Sequence, residues 1–268
     1  MAFLRNLSGL TFTGTIGEFS AYTMRGSDKI ILRTKGGADK KRIEKDPAFE
    51  PTRNLNNEWR VVTRAALVIR KGLNALKPMA DYNISGPMNA LVKKIQTADT
   101  INPKGKRSIL FSQQPDVITS FPFNRQTILE TLIRQPFLIN IDKSSGIIDV
   151  TIPQLQPLIN FFPNPRYAYF RIILAATAVS DYACRQEDGY YFSTKSLLPK
   201  YQAIETKWAG TKVSQPSANF QLISSNNFLP GDGMILLFGA GIQYGMPGAD
   251  NSIQPVPYAG AARILKGV

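Results

Sequence analysis

The chain reads as an α+β protein: a small N-terminal β-hairpin with a two-helix hairpin, followed by a C-terminal antiparallel β-sandwich. Three observations predict this. Apolar residues recur at helical spacing between Trp59 and Leu76, short β-rich pieces punctuated by proline, asparagine and glycine fill the second half, and a polar stretch from Thr97 to Ser108 separates the two. The change of composition places a boundary after residue 107, giving a basic region 1–107 and a β-sandwich domain 108–268.

The first region opens with three β pieces, Leu10 to Thr15, Phe19 to Arg25 and Lys29 to Arg33. Gly26-Ser27-Asp28 supplies the tight turn between the last two, because glycine accepts the positive φ that hairpin turns need. A hairpin or three-stranded meander of this size is not stable alone in water. It must pack on the rest of the chain or on a neighbouring copy, and the sequence does not choose.

Gly36-Gly37 ends this piece, and the charged stretch Ala38 to Glu50 leads to a helix starting at Pro51-Thr52. Trp59, Val62, Ala66, Ile69, Leu73 and Leu76 are spaced by three or four residues, which sets them on one stripe. Pro78 stops the helix. A second helix begins near Ser85-Gly86-Pro87, with Met88, Leu91, Val92 and Ile95 on one face, and the short connection makes the pair an antiparallel hairpin. The first stripe is expected to be covered by the second helix and by β structure.

Beyond Ser108, Phe137 to Asp142 and Ile147 to Ile152 flank a Lys143-Ser144-Ser145-Gly146 turn. Further strands are expected at Tyr167 to Val179, Tyr190 to Thr194, Ala203 to Trp208, Phe220 to Ser224, Met234 to Tyr244 and Ala261 to Leu265. Eight short segments with turn residues between them suggest an antiparallel sandwich.

Composition excludes more chemistry than it suggests. There is no histidine and one cysteine, Cys184, so the usual general base and the Cys-rich zinc and disulfide frameworks are missing. Cys184 has only Arg185 beside it and reads as a small buried side chain. Glu187-Asp188-Gly189 reads as a turn, no paired-carboxylate motif stands out, and no cofactor or metal site is expected. Gly239-Ala240-Gly241 with Gly245 lacks the Lys-Ser/Thr pair of a phosphate loop, so these glycines are expected to mark a bulge or bend. Tyr167, Tyr169 and Arg171 are explained by alternation along one strand. An enzyme working through carboxylates alone, or a ligand- or carbohydrate-binding sandwich, is the weaker expectation.

Charge is unevenly distributed. Residues 1–107 hold 20 Lys/Arg and 9 Asp/Glu, a net of +11 out of the chain's +13. Such a region attracts polyanions, or serves as a soluble, self-repelling face. Candidate polyanion contacts are Arg60, Arg64 and Lys71 on the first helix, and Lys104, Lys106 and Arg107 in the polar stretch. No apolar run is long enough to span a bilayer, and Met1 to Ser20 has no continuous apolar core of a signal peptide. Synthesis in the cytoplasm without membrane insertion is expected, with release or incorporation into a particle as later fates.

The pattern Gly14-Thr15-Ile16-Gly17, Tyr22, Gly26, Ile30-Ile31-Leu32-Arg33, Lys35-Gly36-Gly37, Asp46-Pro47-Ala48-Phe49, Thr52-Arg53, Asn56 and Glu58 resembles uncharacterised proteins widespread in Bacteroidetes bacteria. The resemblance continues through Lys106-Arg107 into the β-rich part. It implies a bacterial origin and mobile-element or surface-associated gene neighbourhoods, and brings no activity or catalytic residue.

These readings favour a non-enzymatic structural protein that self-assembles into a homo-oligomer, filament or particle. Its assembly arm would be Phe12, Ile16, Phe19, Tyr22, Ile30 and Leu32, adding strands to a neighbour by β-augmentation. The alternative is nucleic-acid binding through the basic first third. Partners expected are other copies of the chain, and an acidic protein surface or nucleic acid.

Overall fold

The computed structural model describes residues 2–4, 13–24, 30–34, 36–142, 145–194, 201–223, 233–250 and 252–268. The protein is α+β with antiparallel sheets, and it divides into two compact units, Met1–Arg53 and Asn54–Val268. The composition change at residue 107 falls inside the second unit.

In the first unit, β1 (Ala2–Leu4), β2 (Gly14–Ile16), β3 (Phe19–Thr23) and β4 (Ile30–Thr34) form a sheet in the order β1-β4-β3-β2. The expected hairpin or meander is thus a four-stranded sheet: three residues near the N-terminus pair with β4, a strand too short to leave a period in the sequence. Gly17, at φ 56°, makes the tight turn between β2 and β3. The turn expected at Gly26-Ser27-Asp28 lies outside the described residues. The charged stretch holds a short helix, α1 (Lys40–Lys45), capped by the Asp39 carboxylate accepting from the Arg42 backbone N–H at 2.6 Å. Arg53 donates to the Ile43 and Asp46 carbonyls.

The long helix α2 (Glu50–Gly72) starts with Pro51 in its first turn, where a missing N–H has no cost. A 3-10 stretch, Asn74–Met79, contains Pro78 and leads to α3 (Ser85–Thr97). Val62, Ala66, Ile69, Leu73 and Leu76 are buried as the spacing predicts, but Trp59 is 48 % exposed. The buried face of α2 also takes in Glu58, Val61, Ala65 and Gly72, so its centre is shifted away from Trp59 and leaves the indole at the rim. On α3, Met88, Val92 and Ile95 are buried and Leu91 packs against them as a partly buried side chain.

The remaining elements are α4 (Leu129–Leu132), β5 (Leu138–Asp142), β6 (Ile147–Ile152), β7 (Tyr169–Ser180), β8 (Tyr182–Cys184), β9 (Tyr191–Ser193), β10 (Tyr201–Glu205), β11 (Ala209–Gly210), β12 (Ala218–Ile223), β13 (Met234–Pro247) and β14 (Ile253–Gly267). Each of the eight predicted segments overlaps a strand, several of which extend beyond it; Ser224, the last residue of the Phe220 segment, lies outside the described residues, as do Lys143 and Ser144 of the predicted turn. The central sheet runs β10-β7-β13-β14, with β11 also on β7; β12-β6-β5 form a second sheet, and β8-β9 a third.

The central sheet is covered on both sides. Ile173, Ala175 and Val179 of β7, with Ile235, Leu237, Ala262 and Ile264, share a core with α2 and α3. The alternate residues Phe170, Ile172, Leu174 and Ala176, with Phe238, Ala240, Ile242 and Tyr244, share another with Ile148, Val150, Ile152, Leu222 and α4. Successive strand residues point to opposite faces, so burial of both requires the nearly continuous apolar runs that β7 and β13 carry. The glycines of β13 serve close packing as well as the expected irregularity. The register shifts between Phe238 and Gly239, and a Cβ at Gly241 would lie 2.7 Å from Met79 Sδ.

Candidate interaction surfaces

The nominated arm residues divide between the two faces of the N-terminal sheet. In register, Ile16 sits opposite Phe19, Ala21 opposite Leu32 and Thr23 opposite Ile30. Directly opposed residues share a face, which puts Ile16, Phe19, Ala21, Ile30 and Leu32 together. Tyr22 pairs with Ile31 on the other face, and the Arg33 guanidinium lies 5.4 Å from its ring centroid. Phe12 is outside the described residues. Ile16 is 62 % and Phe19 48 % exposed, while Ile30 and Leu32 are half-buried. Among the described residues of this unit only Ala21 and Ile31 are buried apolar side chains, and they lie on opposite faces.

The most elaborate polar centre is one that sequence reading did not nominate. Glu58 projects from the buried face of α2 and is inaccessible to solvent. Its carboxylate accepts from Arg107 Nε at 3.0 Å and Nη2 at 2.9 Å, from Lys93 Nζ at 2.7 Å, and from the Gly105 backbone N–H at 2.8 Å. Burial by itself would raise this carboxyl, but the hydrogen bonds from Arg107, Lys93 and the two backbone N–H groups of Gly105 and Arg107 outweigh it and hold the carboxyl at about 2. Gln96, also buried, accepts from Lys93 and donates to the Arg107 carbonyl, which Tyr191 also contacts through its hydroxyl. A second carboxylate, Asp99, accepts from the backbone N–H groups of Ile101, Asn102 and Ser108. The 99–108 segment is therefore a pinned loop. A carboxylate in a helical stripe was the available signal, since an isolated acid there demands a partner.

This pinning changes the meaning of the basic cluster. Arg107 is committed to Glu58 and drops out of the accessible cations, and Lys106 donates to the Gln186 carbonyl. Lys104 is exposed. Arg60 and Arg64 are exposed on α2 and line a cleft of about 300 Å³ with Tyr182, Tyr190, Tyr191 and Asp188, whose carboxylate pairs with Arg185; Lys71 lies further along the same helix in a different cleft. Between Asn54 and Gly72 the only acid is the buried Glu58, so the charges on the outer side of α2 are all positive: Arg60, Arg64, Arg70 and Lys71 form no hydrogen bond or ion pair through their side chains among the described residues.

Other sequence features have structural explanations. Arg171 pairs with Glu205, donates to Gln243 and lies over the Trp208 ring at 4.6 Å, and Tyr167 stacks on Tyr244 at 4.7 Å. Burial pushes the Cys184 thiol up, away from the reactive thiolate. Gly189, at φ 70°, closes a turn in which Arg185 and Asp188 pair. Among the described residues no group of three or more metal-binding side chains occurs, and no helix is long and apolar enough to cross a membrane.

No family model, curated protein or solved structure matches the chain.

Proposed function

We propose that this chain is a non-enzymatic structural protein that assembles with copies of itself, the N-terminal sheet pairing with a neighbouring subunit. The carrying observation is the thinness of that sheet's own core among the described residues. Ala21 and Ile31 are buried on opposite faces while Ile16 and Phe19 stand exposed on one. A face with one buried side chain among the described residues and a neighbouring apolar pair has much to gain from cover, and among the described residues the short strand β2 is the outer strand of the sheet, an edge at which an incoming strand could add. We read the two sheets packed through Phe170, Ile172, Val150 and Leu222 as the sandwich body that such an arm would decorate.

The test is the mass of the full-length protein by light scattering, for the natural sequence and for the Ile16→Lys/Phe19→Glu double variant. An oligomer reduced to monomer by the double variant supports the reading. A monomer at every concentration tried, or an oligomer indifferent to the double variant, refutes it.

Nucleic-acid binding is the second reading, favoured by the uncompensated basic side of α2. Arg60 and Lys71 are 11 residues apart, about 17 Å along a helix, long enough to follow several phosphates. Binding of a single-stranded oligonucleotide should then fall steeply with salt and should weaken in an Arg60→Ala/Arg64→Ala variant, with Arg107→Ala excluded as a probe because it perturbs the fold.

A further inference from the structure

The end of α2, the 3-10 stretch after it and the loop into α3 line a cleft of about 640 Å³, and Tyr258 of β14 joins the lining. Its volume is in the range of small-molecule sites. Three cations line it: Arg70, Lys71 and Lys77, whose side chains have no hydrogen bond or ion pair among the described residues. The one carboxylate in the lining, Asp81, is turned to the backbone N–H groups of Arg125 and Gln126, which it accepts at 3.0 and 3.2 Å. Three unpaired cations around a concavity make a positive potential that a multivalent anion would neutralise.

The β14 contribution to the lining is an aromatic residue, Tyr258. The β13–β14 register passes from Gln243 opposite Gly260 to Gly245 opposite Pro255, so residues 256–259 bulge out against Tyr244 alone. Gly260, at φ 105°, fixes the end of this bulge, since a Cβ there would lie 2.0 Å from the Ile242 carbonyl oxygen. Within it Tyr258 is 71 % exposed with φ 61°, a conformation unfavourable for an aromatic residue. Leu67 and Ile84 add apolar surface to the same lining. Tyr82 is already taken, the Arg125 guanidinium lying 3.9 Å from its ring centroid.

We propose that this cleft binds a nucleoside polyphosphate, its phosphates held by Arg70, Lys71 and Lys77 and its base stacked on Tyr258. The site is independent of the assembly reading. Titration calorimetry of the full chain with ATP, inorganic tripolyphosphate and adenosine tests it, with thermal melts confirming that each variant is folded. ATP should bind more tightly than tripolyphosphate, and adenosine weakest of the three. The Lys71→Ala/Lys77→Ala variant should lose tenfold or more in affinity for both phosphate ligands. Tyr258→Asn, a residue at ease in the left-handed region, should weaken ATP several-fold and leave tripolyphosphate unchanged; Lys212→Ala, exposed and outside the cleft, should change neither. Absence of ATP binding at low salt, equal affinity for ATP and tripolyphosphate, or a loss in Lys212→Ala as large as in the double variant would each overturn the proposal.

Discussion

Glu58 and Arg107 meet in a two-point pair, Nε to Oε1 at 3.0 Å and Nη2 to Oε2 at 2.9 Å, joining the middle of α2 to a loop 49 residues later in the chain. The carboxylate is fully buried and the Arg107 side chain is 14 % exposed. Removing one partner of such a pair leaves the other charge unmatched, which is worse than removing both.

Glu58→Ala is therefore expected to destabilise the protein by about 3–5 kcal/mol. In a urea-unfolding cycle with Arg107→Ala, the double variant should cost less than the sum of the singles by about 1–3 kcal/mol. Additive effects would show that the pair is not a unit.

The same carboxyl sets an acid-dependent stability. Its pKa is held at about 2 in the fold against 4.5 unperturbed, so the native state binds fewer protons than the unfolded chain in between. This contribution is fully present above pH 4.5 and is lost as pH falls through about 2. The stability gap between the natural protein and Glu58→Gln should shrink across that window, followed by urea midpoints at successive pH values. A gap that is constant with pH would contradict the assignment.

Ile69 is wholly buried and Arg70 borders the solvent. Ile69→Ala should cost about 2–5 kcal/mol, whereas Arg70→Ala should stay within about 0.5 kcal/mol. Similar shifts in thermal unfolding would mean that the basic side of α2 has been assigned to the wrong face.

At Gly241 a Cβ would come 2.6 Å from Ala262 Cβ and 2.8 Å from the Ala261 carbonyl oxygen, whereas at Gly86 it meets nothing within 4 Å. Gly241→Ala should destabilise by about 1–3 kcal/mol through overpacking. Gly86→Ala in α3 should be neutral or stabilising by up to about 1 kcal/mol, and melting temperatures distinguish the two.

Much of the secondary structure was legible because periodicity reports burial. The three-and-four spacing from Val62 to Leu76 identified the packed side of α2, and the apolar runs in β7 and β13 identified buried strands. Trp59 misled because it fits the spacing while sitting at the rim of the stripe; the arc of the buried face depends on what packs against it. The three residues of β1 gave no readable pattern, and their pairing with β4 is non-local.

The sequence by itself determined the α+β class, the absence of histidine and disulfide chemistry, and the concentration of positive charge before residue 108. Those are properties of composition and short-range order. Only the tertiary structure decided which charges are available: it sank Glu58 into the core, spent Arg107 and Lys93 on it, and left Arg70, Lys71 and Lys77 around a cleft with Tyr258. A charge in a sequence carries its sign but not its neighbours, and Coulomb and desolvation energies depend on neighbours brought together from distant parts of the chain.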